Sequence, residues 1–216
     1  MTDVKSHGLF KFLAQIYDFV ARVAMFGQYE RLRQQLLGKI EIKKGSRILD
    51  MASGTGYLAE KMGAVDLVCT DISVHMLKRA RAKAKGDFVL ADAHRLPFKD
   101  GVFHGAVSSF AMHEVGRPGE VLSEMFRVLR PGGEIAVMDV VQQTRFSKKI
   151  LLEIFHTFVE MRTASYVNIA QLKDAFRAAD GFNIQLDMFG LVAIVWGKKR
   201  VYSQNLMHRS SVKDFD

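Results

Sequence analysis

The chain of 216 residues has a single cysteine, three prolines and no long apolar run. A lone cysteine excludes a disulfide framework within the chain. Its setting, Asp66-Leu67-Val68-Cys69, reads as a buried strand and fits a reducing, cytoplasmic environment. With so few prolines, no low-complexity tract and no internal repeat, there is little room for a long disordered linker. The most apolar N-terminal stretch, Leu9 to Phe26, is broken by Lys11, Gln15, Asp18 and Arg22. Neither a membrane span nor a signal peptide is therefore expected.

What is present suits a globular domain with a real core: 49% hydrophobic and 25% charged residues. A net charge of +8 permits attraction to nucleic acid, anionic lipid or an acidic substrate. The bases are scattered, however. Their densest run, Lys78 to Lys85, reads as the solvated face of a helix.

Periodicity divides the chain. In the first forty or so residues, apolar positions such as Phe12, Leu13, Ile16, Tyr17, Phe19, Val20 and Val23 recur at helical spacing, and a second helix runs from Tyr29 to Leu37, ended by Gly38. From Arg47 short apolar strands alternate with helices. Strands are expected at Arg47–Met51, Leu67–Asp71, Phe88–Ala91, Gly105–Ser109 and Glu134–Val140, and helices at Tyr57–Met62, Val74–Lys85 and Gly119–Leu129. Ser73 is the expected N-cap of the second of these helices and Gly86 its C-cap. This alternation implies a parallel sheet covered on both faces. An aromatic helix, Lys148 to Met161, then breaks it. Asn168 with Gln171 resembles a capping box for a helix from Ile169 to Ala179. Strands Asn183–Met188 and Leu191–Trp196 form an antiparallel hairpin, and the tail from Ser203 is polar.

The chemistry concentrates at strand ends. Ile48-Leu49-Asp50-Met51-Ala52-Ser53-Gly54-Thr55-Gly56-Tyr57-Leu58-Ala59 is a strand, a glycine loop and a helix start, and it satisfies the relaxed dinucleotide fingerprint. Yet Asp50 precedes the loop, Asp71 ends the second strand and Asp92 follows the third. A pyrophosphate needs N–H donors and would be repelled by Asp50. Any one aspartate could be a cap. Three at one sheet edge instead suit a ligand with a cation, ribose hydroxyls and an adenine amino group, which is the chemistry of S-adenosylmethionine.

On these residues the chain resembles the class I S-adenosylmethionine-dependent methyltransferases. The match runs through Asp50-x-Ala52-Ser53-Gly54-Thr55-Gly56, Thr70-Asp71-Ile72-Ser73, Ala91-Asp92-Ala93-x-x-Leu96-Pro97-Phe98 and Val128-Leu129-Arg130-Pro131-Gly132-Gly133-Glu134. Within them it is most similar to the ubiquinone/menaquinone-biosynthesis C-methyltransferase type, through Ile16-Tyr17-Asp18, Phe26-Gly27-Gln28-Tyr29 and the ending Gly190 to Gly197. The resemblance implies an α/β, Rossmann-like fold: a seven-stranded, mostly parallel sheet with an antiparallel C-terminal hairpin and helices on both faces. It implies one domain, with a helical cap at 1–44, a cofactor-binding core at 45–141, an acceptor lid and hairpin at 142–200 and a tail at 201–216.

The resemblance also assigns roles. Asp50 and the loop Ala52, Ser53, Gly54, Thr55 and Gly56 would hold the methionine end of the cofactor. Asp71 would bind the ribose, with Ile72 and Met76 beside the adenine; Asp92 would accept from the adenine amino group, with Ala93 alongside and Ser109 at the end of strand four. Tyr17 either closes over the cofactor or is a core aromatic. Two departures stand out. Ala52 replaces the usual first glycine and is expected in a backbone conformation outside the left-handed region, and Phe103-His104 replaces Phe-Asp in a pair that is usually structural.

Methyl transfer from a sulfonium is a displacement, for which the protein aligns the reactants and excludes water. A base helps a phenol or an activated ring carbon. His113, just past strand four, is the best-placed base candidate or else a loop histidine with no chemical role; His156 and Tyr166 are weaker candidates. Apolar residues of the cap and lid, among them Phe10, Phe19, Phe26, Phe155 and Phe158, suit a lipid-like or quinone acceptor, and equally suit helix packing. The basic, aromatic N-terminal helix also allows peripheral contact with a membrane. No metal site is expected, and the oligomeric state is open. Competing readings are a dinucleotide oxidoreductase, disfavoured by Asp50; a nucleic-acid methyltransferase, disfavoured because no Asn/Asp-Pro-Pro-aromatic motif follows strand four; and a non-catalytic S-adenosylmethionine-binding module.

Overall fold

Apolar strands separated by amphipathic helices leave few ways to bury both, and the computed structural model shows the one adopted. It describes residues 28–141, 167–188 and 191–201. In chain order these form α1 (Tyr29–Leu37), β1 (Arg47–Met51), α2 (Tyr57–Lys61), β2 (Asp66–Asp71), α3 (Val74–Lys83), β3 (Asp87–Leu90), β4 (Phe103–Ser109), α4 (Pro118–Val128), β5 (Leu129–Val140), α5 (Ile169–Ala175), a 3₁₀ turn (Phe176–Ala178), β6 (Ala179–Asp187) and β7 (Val192–Lys199). The expected helices before Tyr29 and at Lys148–Met161, the turn at Phe189-Gly190, and the tail from Ser203 lie outside the described residues.

The strands form one seven-stranded sheet in the order β3-β2-β1-β4-β5-β7-β6. All pairings are parallel except those of β7, which runs antiparallel to both β5 and β6. Strand order reverses between β1 and β4, neighbours that are not consecutive in sequence. That is where an open α/β sheet leaves a crevice beyond the carboxyl ends of its strands.

Each face of the sheet has its own core. On one, Leu32 and Leu36 of α1 and Leu58 and Ala59 of α2 pack on Ile48, Cys69, Val107 and Ile194. On the other, Leu122, Met125 and Phe126 of α4 and Leu172 of α5 pack on Leu49, Val68, Ala106 and Val137. Arg127 ties α4 to the segment after β3, donating to the Leu96 and Phe98 carbonyls and to Glu124 and Asp100. The basic run on α3 is solvated on most of its length, while Leu77 and Ala80 face inward. Burial raises the Cys69 thiol pKa, as befits a strand cysteine deep in the sheet.

Several boundaries move, each for a local reason. Ser73 caps α3 through its hydroxyl, which accepts from the Met76 amide. The helix, however, stops at Lys83 with an extended Ala84, not at a Gly86 cap. Gly86 instead lies against β2, where a Cβ would come 2.6 Å from the Leu67 carbonyl oxygen. The capping box at Asn168 forms, with the Ala170 amide donating to the Asn168 side chain at 2.8 Å, but the helix tightens to a 3₁₀ turn at Phe176. β5 begins earlier than expected: Leu129 already pairs with Phe103, and the register shifts before Glu134 meets Gly105. His104 accepts from the Arg47 amide at 3.1 Å, a structural role for the residue that departs from the family pattern.

Gly56 carries the turn from the loop into α2 at φ +77°, and a Cβ there would lie 2.6 Å from Ala80 Cα. Gly56→Ala should therefore cost about 1–3 kcal/mol of stability in urea unfolding. Gly54→Ala, whose Cβ meets nothing within 4 Å, should cost only about 1–2 kcal/mol from its left-handed backbone. Equal midpoints for Gly56→Ala and the native chain would refute the packing of the loop on α3.

Candidate functional site

The glycine loop leaves β1 at the crevice between β1 and β4. Its first turn is closed by the Ser53 amide donating to the Thr70 carbonyl at 2.8 Å and the Gly56 amide to the Ser53 carbonyl at 2.9 Å. Ala52 adopts φ +52°, so the expectation of a backbone outside the left-handed region is incorrect: the alanine carries the strain a glycine would relieve. Thr55 is buried, whereas Gly54 faces open space.

Asp50, Asp71 and Asp92 lie at the carboxyl ends of three adjacent strands, in three different environments. Asp71 accepts from the Gly54 amide at 2.9 Å and the Ser73 amide at 2.8 Å, and so latches the loop to β2. Burial raises its pKa against those donors. Asp92 is exposed, and accepts from the His94 amide at 2.9 Å with the His94 ring Nδ1 2.8 Å away; these contacts hold its pKa low. Ile72, directly after Asp71, is 75% exposed and offers a bare apolar surface, and Met76 lies in the first turn of α3. Ala93 and Ser109 are half-buried.

Asp50 is the anomaly. It is 1% exposed, and its Oδ2 has no hydrogen-bond partner among the described residues. Burial pushes its pKa up to about 7; Arg33 opposes the rise and the Asp71 carboxylate adds to it. Arg33 comes from α1, on the same helix face as Tyr29, Leu32 and Leu36. Its guanidinium lies 3.8 Å from the Tyr29 ring centre and 4.2 Å from that of Tyr57, and donates to the Tyr29 hydroxyl. Tyr29 in turn stacks on Phe110 at 5.3 Å. Aromatic rings thus hold a buried cation at the switch point, where Asp50 is the buried carboxylate.

A second pair sits past β4. His113, 5% exposed, places Nδ1 2.5 Å from Oδ1 of the fully buried Asp139 on β5. Asp139 also accepts from the Met112 amide at 2.6 Å and the Val140 amide at 2.7 Å. Because a carboxylate only accepts, Nδ1 is the ring nitrogen that donates to Asp139. His113 is therefore no loosely held loop residue. Sequence reasoning did not single out Arg33, Tyr29, Tyr57 or Asp139 as site residues. The available signals were a charge on the apolar stripe of α1 and a carboxylate within the apolar run Ala136 to Val140. Tyr17, His156 and Tyr166 lie outside the described residues, and no metal-binding cluster occurs among those described.

The fold is that of the class I methyltransferases. A Thermotoga maritima S-adenosylmethionine-dependent methyltransferase superposes with a TM-score of 0.65 at 19% identity, over 86% of this chain and 100% of that one. The cyclase SpnF superposes too, at a TM-score of 0.63 and 20% identity, over 80% and 81% of the two chains. Shape alone therefore does not fix the chemistry. The family is fixed by sequence: residues 1–177 match the ubiE/COQ5 methyltransferase family, and the chain belongs to it. A demethylmenaquinone methyltransferase of Symbiobacterium thermophilum is 31% identical over 230 aligned positions, covering 89% of this chain and 91% of that protein. Another, of Paenarthrobacter aurescens, is 36% identical over 134, covering 61% of this chain and 53% of its own length. With a Renibacterium salmoninarum protein of the same name the match spans 59% of the relative.

With a folded-state pKa near 7 against an ordinary 3.8, the native state holds a proton on Asp50 more tightly than the unfolded chain does. Stability without ligand should therefore fall as pH rises from about 4 to 7. Asp50→Asn should be more stable than the native chain at pH 8, by a margin that shrinks toward pH 4. Urea unfolding across that range checks this, and a margin independent of pH would contradict it.

Proposed function

We propose that this chain methylates a ring carbon of a prenylated quinone precursor, with S-adenosylmethionine as donor and S-adenosylhomocysteine as product. The observation that carries the reading is the buried, unpartnered Oδ2 of Asp50 at the glycine loop. An isolated buried carboxylate is costly, and a cationic ligand removes that cost where a phosphate would deepen it. The donor set fits the cofactor. Asp50 would take its ammonium, Asp71 its ribose hydroxyls and Asp92 its adenine amino group, with Ile72 and Met76 against the base. The open space over Gly54 lets a ligand approach the backbone.

When bound, S-adenosylmethionine supplies a methyl group already activated on a sulfonium. The chain's own residues supply alignment, exclusion of water and a destination for a proton. Asp139 holds the His113 ring through Nδ1, and the imidazole is the group assigned to take the proton that an activated ring carbon or phenol releases. The quinone acceptor is supported by family membership and by the relatives' names, demethylmenaquinone methyltransferase and ubiquinone/menaquinone biosynthesis C-methyltransferase. The nucleic-acid reading has no comparable support.

No described helix is long and apolar enough to cross a membrane. A prenylated acceptor would then be reached by peripheral contact; failure to co-sediment with anionic vesicles at low salt would count against that route.

Asp71→Ala should weaken S-adenosylhomocysteine binding by about 1–3 kcal/mol in calorimetric titration; unchanged affinity would remove Asp71 from the site. His113→Ala should lower kcat on a demethylated quinol by about 10²–10⁴-fold, with S-adenosylhomocysteine affinity unchanged. Asp139→Asn should lower kcat in the same direction by disturbing the ring's tautomer. Full turnover in His113→Ala would end its role as base.

A further inference from the structure

Between Ser73 and Leu90 the chain carries five bases, Lys78, Arg79, Arg81, Lys83 and Lys85, against one acid, Asp87. Half of the whole chain's net charge of +8 thus falls within eighteen residues. Helical spacing sorts them. Val74, Lys78 and Arg81 recur at i, i+4 and i+7, one stripe of α3, and Lys85 continues the run past the helix end. All four are exposed, while Leu77 and Ala80 take the inward face. Elsewhere on the surface Arg31, Arg117, Arg177 and Lys198 are each answered by a carboxylate. Lys78, Arg81 and Lys85 pair with none among the described residues.

Arg81 shows which way the stripe points. Its guanidinium lies 5.5 Å from the ring of Phe88 on β3, the outermost strand of the sheet. Leu90, two residues on, shares that face of β3 with Phe88. It is 59% exposed, and Val74, at the start of the stripe, is 47% exposed. Leu90 is also the register partner of Asp71, three residues before Val74. The two apolar side chains therefore sit at the crevice end of α3, and the bases run from there toward the amino end of β3, where Asp87 lies. Contact with phosphates alone has no use for Val74 and Leu90. A single-stranded nucleic acid needs aromatic faces to stack on, and Phe88 is half-buried beneath Arg81. Apolar tips beside unpaired bases suit the boundary between lipid headgroups and acyl chains.

We propose that the α3–β3 edge is a docking surface for an anionic lipid bilayer: Lys78, Arg81 and Lys85 meet headgroup phosphates, and Val74 and Leu90 enter the headgroup–acyl boundary beside them. Docked this way, the crevice end of α3 lies at the bilayer surface, where a prenylated acceptor would be held. The surface itself owes nothing to the methyl-transfer reading; it gives the peripheral contact which that reading calls for a place on the fold. Attraction of the bases falls off within a Debye length, so the contact is salt-sensitive, whereas the apolar part is not.

Co-sedimentation of the full chain tests this with two vesicles, phosphatidylcholine alone and an equal mixture of phosphatidylcholine and phosphatidylglycerol. The native chain should sediment with the mixed vesicles only, and be released as salt rises. Lys78→Gln with Arg81→Gln should weaken partitioning about tenfold to thirtyfold, since each base near an anionic surface contributes about fivefold. Leu90→Ser should weaken it at low and high salt alike. Lys44→Gln with Arg130→Gln removes as much charge from exposed bases at the amino end of the sheet, and should weaken it far less. Equal weakening by the two pairs would mean that net charge alone acts, and an unchanged Lys78/Arg81 pair would place the contact elsewhere; either result overturns the assignment. So does a native chain that stays in the supernatant, including one that instead binds a single-stranded RNA through Lys78 and Arg81. Titration with S-adenosylhomocysteine keeps the two readings apart. The Lys78/Arg81 variant should retain native affinity, and a native chain that sediments but binds no S-adenosylhomocysteine loses the methyl-transfer reading and keeps this surface.

Discussion

The buried carboxylate of Asp50 is the constraint on which the rest of the site depends. A negative charge removed from water, next to a second carboxylate, is tolerated only if something positive answers it. The fold supplies a partial answer in Arg33, held between two tyrosine rings, whose charge opposes the rise, and leaves the pKa of Asp50 at about 7. The loop's geometry alone would admit a pyrophosphate. The charge beside it is what the proposed reading uses: a buried carboxylate favours a cation over a phosphate, unlike the ligand of the dinucleotide-binding proteins whose fingerprint the chain satisfies.

The sheet's topology brings the groups together. Because β1 and β4 are spatial neighbours but not sequential ones, the loop after β1 and the turn after β4 open onto a common crevice. The first carries Gly54 and Gly56, and the second Phe110 and His113. α1 closes over that crevice with Tyr29 and Arg33, and β5 delivers Asp139 beneath His113. In the proposed reading, residues far apart in sequence serve one site, with cofactor groups on the β1–β3 side and the histidine pair on the β4–β5 side.

Alternating apolar strands and helices make most of the sheet legible in the amino-acid sequence, because period and turn residues are local signals. So are the loop and the three aspartates, which fall at strand ends. Local signals fail where distant packing decides. α3 ends at Lys83 because Gly86 is needed for close approach to β2, not as a cap. Ala52 takes a left-handed backbone that its residue type disfavours, because both ends of the loop are pinned. Arg33 and Asp139 stay hidden for one shared reason: each is a charge on an apolar face, and only the partner across the fold shows why it is tolerated. Their partners are remote in sequence, so no spacing rule finds them.

Proton release on ligand binding tests the central role of Asp50 most directly. Titration of S-adenosylhomocysteine at pH 6.5, in buffers of different ionisation enthalpy, counts protons exchanged. Pairing of the ligand's ammonium with Asp50 should drive the carboxyl to ionise and release a substantial fraction of a proton, and Asp50→Asn should abolish that release. Binding with no proton release, or identical release in Asp50→Asn, would contradict the role given to Asp50.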